Sequence, residues 1–167
     1  MKKYKLNGDT KEINGHTLHR IQALKDFSDV KKGDLGGWVE SEDNLSQYGN
    51  CWVYDNACVY DNASISDNAK VSDWAWISGN VCVSGNAKVS DDANISGDVK
   101  ILGNVIISDD SWVYGDSEIH GNVYKYEYDL QNAYNQIVNN NITIDIENML
   151  SKIIKNQEVI MEILNKK

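Results

Sequence analysis

His120 is the residue of this chain that is best suited to proton transfer. An imidazole titrates near neutral pH, so a histidine can remove a proton from an attacking amine or hydroxyl group. The other two histidines, His16 and His19, lie near the N-terminus, where we expect surface positions. His120 also fits an ordinary outward position, so we assign no catalytic residue from the sequence and keep His120 as a candidate general base.

Aromatic and basic side chains indicate a second kind of chemistry, which is the binding of a flat anion. Tryptophan and tyrosine rings stack on planar ligands, and lysine neutralises negative charge. The alternative is that the rings contact a neighbouring subunit, because Trp and Tyr are enriched at protein interfaces. The candidate ligand-binding residues are Trp76, Trp112, Tyr114, Lys70, Lys88 and Lys100.

Metal binding is not predicted. A catalytic zinc ion normally has three protein ligands, yet the chain has three histidines in all and no Cys-x-x-Cys pair. A series of aspartates that starts at Asp55 would form a strip for cations, although Asp is also an ordinary corner residue. We expect no metal ion and no resident cofactor.

These candidates belong to a six-residue repeat. Twelve Val or Ile residues recur at every sixth position. A chain that turns a corner every six residues points one side chain per segment at a common axis, which is typical of a β-solenoid. The residue two places earlier is small or apolar and shares the inward face. The aliphatic positions are Val53, Val59, Ile65, Val71, Ile77, Val83, Val89, Ile95, Ile101, Ile107, Val113 and Ile119.

A longer period indicates that each coil has three sides. Two glycine series and one aspartate series each recur at every eighteenth position. Gly and Asp tolerate the left-handed backbone conformation that tight corners require. Three corners of different chemistry therefore predict a three-sided parallel coil, repeated about five times at the ordinary strand spacing. The series are Gly79, Gly97 and Gly115, then Gly85, Gly103 and Gly121, and then Asp55, Asp73, Asp91 and Asp109.

The hexads resemble those of the hexapeptide-repeat superfamily of left-handed parallel β-helix proteins. Residues 36–46 and 51–57, which read GGWVESEDNLS and CWVYDNA, are also similar to small bacterial and prophage-encoded proteins described as transferases. The resemblance implies a left-handed coil and a homotrimer. For the acyltransferases of the superfamily it further implies a histidine base in the cleft between subunits.

The two ends of the chain should differ from the coils. We expect residues 1–36 to form a small β cap, because an open solenoid end exposes unpaired strand edges. Residues 37–126 should form the β-helix. Residues 127–167 should contain an α-helical oligomerisation segment with coiled-coil spacing, although a helix folded back onto its own coils is the alternative. Its apolar stripe is Ile146, Leu150, Ile153, Gln157, Ile160 and Leu164.

Composition indicates which binding partners are disfavoured and in which cellular compartment the protein is expected. A net charge of −9 disfavours nucleic acid, because an acidic surface repels a phosphate backbone. The start of the chain, MKKYKL, lacks the apolar core of a signal peptide, and no apolar run is long enough to predict a membrane span. Three cysteines cannot all pair within one chain, so we expect free thiols in the cytoplasm of a bacterial cell.

Three functions are compatible with these features. We favour a non-enzymatic homotrimer, of phage or prophage origin, that sequesters a small anionic or nucleotide-type defence signal in clefts between subunits. The first alternative is an acyl- or acetyltransferase that uses His120 and coenzyme A. The second is a structural or assembly protein whose repeats space its two ends. All three require the same all-β, three-sided fold.

Overall fold

The structure is a computed structural model, and it describes residues 2–122. This part of the chain begins with a β-hairpin. Strands β1 (Tyr4–Ile13) and β2 (His16–Ala23) pair antiparallel around a turn at Asn14 and Gly15, whose φ angles are 50° and 87°. Strand β3 (Leu35–Val39) then pairs antiparallel with β2 and parallel with the first coil. The hairpin and the coils therefore share one continuous sheet.

Short strands follow at six-residue intervals, interrupted at the start by a 3-10 helix at Glu42–Asn44. Hydrogen-bonded partners lie 18 positions apart in parallel register, as Val53 lies beside Val71. The strands are β4 (Trp52–Val53), β5 (Cys58–Val59), β6 (Ser64–Ile65), β7 (Lys70–Val71), β8 (Trp76–Ile77), β9 (Cys82–Val83), β10 (Lys88–Val89), β11 (Asn94–Ile95), β12 (Asp98–Asn104), β13 (Ile106–Ile107), β14 (Trp112–Val113) and β15 (Asp116–Asn122).

Three sheets form the three walls of the solenoid. The first wall contains β4, β7, β10 and β13, and the third contains β6, β9, β12 and β15. The second wall contains β5, β8, β11 and β14. At its N-terminal end, which we call the upper end, this sheet continues through β3 into the hairpin. The predicted all-β, parallel, three-walled solenoid of about five coils is confirmed. The predicted helical segment at 127–167 lies outside the described residues.

The interior has the composition that the repeat predicts. The inward aliphatic residues from Val53 to Ile107 are almost completely inaccessible, and Val113 is 5% exposed. The small residues of the repeat, such as Ala69 and Ala87, are equally buried beside them. Burial of one Val or Ile side chain contributes about 1.5–3 kcal/mol, so the column of aliphatic residues supplies much of the driving force for folding.

The corners explain the 18-residue spacing of the glycines. Gly79 has a φ of +72°, and a Cβ atom placed there would lie 2.8 Å from the carbonyl oxygen of Gly97 in the next coil. The aspartate corner also has positive φ, with 51° at Asp55 and 60° at Asp73. Asparagine side chains next to another corner donate along the column, from Asn68 to Asn86 at 3.1 Å for example. Stacking therefore constrains both conformation and side-chain type at each corner.

Within residues 2–122 the chain forms no helix with the length and hydropathy needed to cross a bilayer.

Candidate functional site

The N-terminal hairpin covers the upper part of the second wall. Leu18 of β2 packs against Cys58 and Tyr60, and all three side chains are buried. Trp38 and Trp76 pack against this cluster. The repeat places Cys58 on the outside of its coil, so its burial is due to the hairpin and not to the solenoid interior. The covered wall forms the first candidate site.

Three strands bring His16, Glu40 and Asp61 together at the edge of this covered wall. His16 begins β2, Glu40 follows the end of β3, and Asp61 occupies the corner after β5. The imidazole lies between the two carboxylates, with Nδ1 at 2.9 Å from Glu40 Oε1 and Nε2 at 3.4 Å from Asp61 Oδ1. The ring also contacts that of Tyr60, at 5.0 Å between centroids.

Backbone amides anchor the two carboxylates. The N–H of Asp61 donates to Glu40 Oε2 at 2.7 Å, and the N–H of Gly79 donates to Asp61 Oδ2 at 3.0 Å. Each acid therefore has one oxygen fixed by the backbone and the other directed at His16. The sequence gives no local sign of this cluster, because Glu40 is 24 positions from His16 and 21 from Asp61.

The electrostatics of the cluster follow from these contacts. The hydrogen bond with Glu40 raises the pKa of His16, and the charge of Asp61 raises it further. The same hydrogen bond lowers the pKa of Glu40, which the amide of Asp61 also lowers. Through its contacts with Glu40 and Asp61, the His16 ring links the hairpin to the first coil.

His120 forms a second candidate site on the third wall. Its Nε2 atom lies 2.8 Å from Oε1 of Glu118, which shares its outward face on β15. The His120 side chain is 60% exposed, and Lys100 Nζ lies 4.0 Å from the other oxygen of Glu118. A carboxylate on one ring nitrogen orients the imidazole, so the other nitrogen would accept a proton from a bound substrate.

The predicted aromatic residues share one wall, but they differ in exposure. Trp76 is half-buried because it packs against the hairpin cluster. Trp112 and Tyr114, at the lower end of the same wall, are 64% and 50% exposed. Asn94 stands between Trp76 and Trp112 in the register of the sheet. Of the predicted aromatic residues, Trp112 and Tyr114 therefore remain open, and we call this pair the open aromatic patch.

The predicted lysines do not join this patch within one chain. Lys70 and Lys88 are register partners on the first wall, and Lys100 lies on the third. Lys70 pairs with Asp29 at 2.8 Å, and Tyr54 donates its hydroxyl to the same carboxylate at 2.9 Å. The hydrogen bond from Lys70 holds the pKa of Asp29 well below its usual value. Lys70 thus has a local partner.

The aspartate corners have a structural role. A carboxylate oxygen of Asp67 accepts from the N–H of Gly85 at 3.0 Å, one coil further along. Asp91 likewise accepts from the N–H of Asp109 at 3.2 Å. These contacts use the acids to tie successive coils together, which supports the interpretation of Asp as a corner residue.

Comparison with known proteins gives one partial similarity. No protein-family model matches the chain. A stretch of 50 residues, 30% of this chain, is 42% identical to a protein of Escherichia coli (strain K12) named "Uncharacterized acetyltransferase YdcK". The match covers 14% of the length of that relative. Together with the parallel β-solenoid fold, it confirms the resemblance to hexapeptide-repeat, transferase-like proteins.

We predict that His16 makes stability depend on pH. Its pKa is raised on folding, so its contribution is complete below the unfolded value of about 6.5 and is lost as pH rises through the folded value. Wild type should be more stable than His16→Gln at pH 6, and the difference should shrink by pH 9. Urea unfolding at both pH values measures this difference.

Glu40→Gln is the matched control, because it replaces the carboxylate whose hydrogen bond and charge raise the pKa of His16 with a neutral amide of similar size. In the Glu40→Gln background the His16→Gln change should have a smaller pH-dependent effect. A difference between wild type and His16→Gln that stays constant or grows with pH would contradict the assignment.

Proposed function

We propose that the protein is an acyltransferase of the hexapeptide-repeat type, with His120 as general base and Glu118 as the residue that orients it. The observation that carries this proposal is the 2.8 Å contact between His120 Nε2 and Glu118 Oε1 on an exposed wall. The partial similarity to a protein named as an acetyltransferase supports the same reaction class.

The reaction joins an acyl group from coenzyme A to an amine or hydroxyl acceptor. His120 removes a proton from the acceptor as its nitrogen or oxygen attacks the thioester carbonyl carbon. The tetrahedral intermediate collapses, the carbon–sulfur bond breaks, and the coenzyme A thiolate leaves. The thiolate then takes the proton from the imidazolium, which restores neutral His120. The carboxylate of Glu118 stabilises the imidazolium while it exists.

We predict that His120→Ala lowers the transfer of acetyl groups from acetyl-coenzyme A by about 10²- to 10⁴-fold, which is the usual contribution of a general base. Glu118→Gln should cause a smaller loss, because it leaves the imidazole in place. Mass spectrometry of the acetylated product, with a panel of small amines and amino sugars as acceptors, measures the rate. It also avoids thiol reagents, which would react with the free cysteines of the chain.

His19→Ala is the matched control for this experiment, since His19 lies on the hairpin and away from the third wall. Circular dichroism shows whether each variant folds. Equal rates for wild type and a folded His120→Ala variant would contradict the proposal, and so would the absence of transfer to every acceptor.

The second candidate is a non-enzymatic protein that sequesters a small planar ligand, and the open patch of Trp112 and Tyr114 favours it. Contiguous exposed apolar patches mark sites for ligands or partners. The prophage-like resemblance suggests a nucleotide-type defence signal, to which exposed lysines such as Lys88 would contribute positive charge. A structural spacer remains as the outcome if neither activity nor ligand is found.

We predict that the second candidate, if correct, depends on Trp112. Wild type is incubated with a bacterial extract, and the retained small molecules are identified by mass spectrometry. Trp112→Ala should weaken their retention by about 10- to 100-fold, as expected for the loss of one stacked ring. Trp74→Ala is the matched control, because Trp74 is 60% exposed at a corner of the coil. Retention that is equal in both variants would contradict this function.

The assembly and the compartment are parts of the same proposal. We propose a homotrimer with left-handed coils and a helical segment at 127–167, because the exposed aromatic patch and the heptad-like apolar stripe both suit burial between subunits. Light scattering on the purified chain tests the trimer. The three cysteines are unpaired, which supports a reducing bacterial cytoplasm.

A further inference from the structure

We propose that His16, Glu40 and Asp61 bind one divalent transition-metal cation, for which Zn²⁺ is the probe. This site lies at the junction between the hairpin and the first coil, on a different wall from His120, so it is independent of the proposed acyl transfer. One imidazole nitrogen and two carboxylate oxygens form the donor set. Such a mixed set suits zinc and its neighbours in the first transition row better than magnesium or calcium, which prefer oxygen ligands alone.

The geometry of the three side chains supports the proposal. One potential ligand atom from each residue lies within 4.8 Å of the other two. Zinc bonds to nitrogen and oxygen are about 2.0–2.2 Å long. The His16 ring, whose two nitrogens now face different carboxylates, must therefore turn so that one nitrogen and both acids share the cation. Only one nitrogen of the His16 ring would bind the cation. Rotation of the ring is possible because the side chain is 31% exposed.

The surroundings hold the two acids in place. Glu40 Oε2 and Asp61 Oδ2 each accept a backbone N–H, which leaves Glu40 Oε1 and Asp61 Oδ1 directed at the imidazole. Hydrogen bonds of this kind orient metal ligands and are part of most metal sites. Pre-oriented acids would lose little conformational freedom when the cation binds, which favours binding at this position over other pairs of exposed acids.

Charge and access also fit a cation with open coordination positions. Two carboxylates face one imidazole, so the site carries a net negative charge whether that ring is neutral or protonated, and the cation would bind the neutral ring. The side chains of Glu40 and Asp61 are 33% and 36% exposed. Water can therefore reach the cation and occupy a fourth position, which is the arrangement of a zinc site that is open to ligands.

Binding at this site would cross-link β2, β3 and β5. His16 belongs to the hairpin, while Glu40 and Asp61 belong to the chain that enters and forms the first coil. A cation that binds only the folded arrangement stabilises it in proportion to its concentration. The hairpin would then be held more firmly over the buried cluster of Leu18, Cys58 and Tyr60.

The test is calorimetric titration of the full chain, first treated with a chelator, with Zn²⁺ at pH 7.5. We expect saturation at one ion per chain and a rise in the melting temperature. His16→Gln, Glu40→Gln and Asp61→Asn should each lower the affinity by at least about 10-fold. Asn is suitable at position 61, where φ is 56°, because it tolerates the left-handed conformation.

Two controls show whether Zn²⁺ binds to side chains outside this cluster. His19→Gln removes a neighbouring histidine from the same strand and should leave the affinity unchanged. A variant with Cys51, Cys58 and Cys82 replaced by Ala should still bind one ion, which shows that the thiols are not the ligands. The proposal is overturned if wild type shows no saturable site, if Glu40→Gln and Asp61→Asn bind as wild type does, or if Mg²⁺ raises the melting temperature as much as Zn²⁺.

Discussion

The structure depends on the backbone hydrogen bonds that join each coil to the next along the solenoid axis. They require every coil to have the same path as the coil beside it. In each six-residue segment an outward residue donates its N–H to an inward residue of the next coil, as Ser72 does to Val89 at 2.9 Å. Because successive coils lie at the spacing of one hydrogen bond, the interior has room for one aliphatic and one small side chain per wall. A charged or bulky residue at an inward position would therefore disturb the coils above and below it as well as its own.

The outward positions are free of this constraint, and the candidate sites lie there. His120 and Glu118 face outward from the last described coil, while Trp112 and Tyr114 face outward from another wall. The solenoid acts as a rigid support that fixes the direction of each side chain. Strand positions of this kind hold functional groups more firmly than loops do, so a pair such as His120 and Glu118 needs no further framework to stay aligned.

The repeat could be predicted from the sequence because its signal is local and recurs many times. Inward Val71 and Val89, or the corner glycines Gly79 and Gly97, are related by fixed spacings that only a three-sided coil explains. The hairpin could be predicted from the Asn14-Gly15 turn, but its position over the second wall could not. That position depends on contacts such as those of Leu18 with Cys58, which no spacing encodes.

The candidate sites divide in the same way. His120 is identifiable from its chemistry, and its carboxylate partner lies two residues away on the same strand. The cluster around His16 is not identifiable from the sequence, because three distant segments meet there only after the hairpin folds over the coil. Lys70 is predicted as a ligand-binding residue, yet Asp29 from the loop before β3 binds it. The repeat alone therefore cannot predict contacts that come from segments outside it, such as the loop that carries Asp29.

Disulfide cross-linking tests the central claim that partners lie one coil of 18 residues apart. In a background in which the native cysteines are alanine, Lys88→Cys is combined with Ile106→Cys, its register partner on the first wall. Neighbouring strands are about 4.8 Å apart, which a disulfide can span. We predict rapid oxidation of this pair and little oxidation of Lys88→Cys with Asn94→Cys, which is closer in sequence but lies on another wall. Equal oxidation of both pairs, or faster oxidation of the second, would contradict the three-walled solenoid.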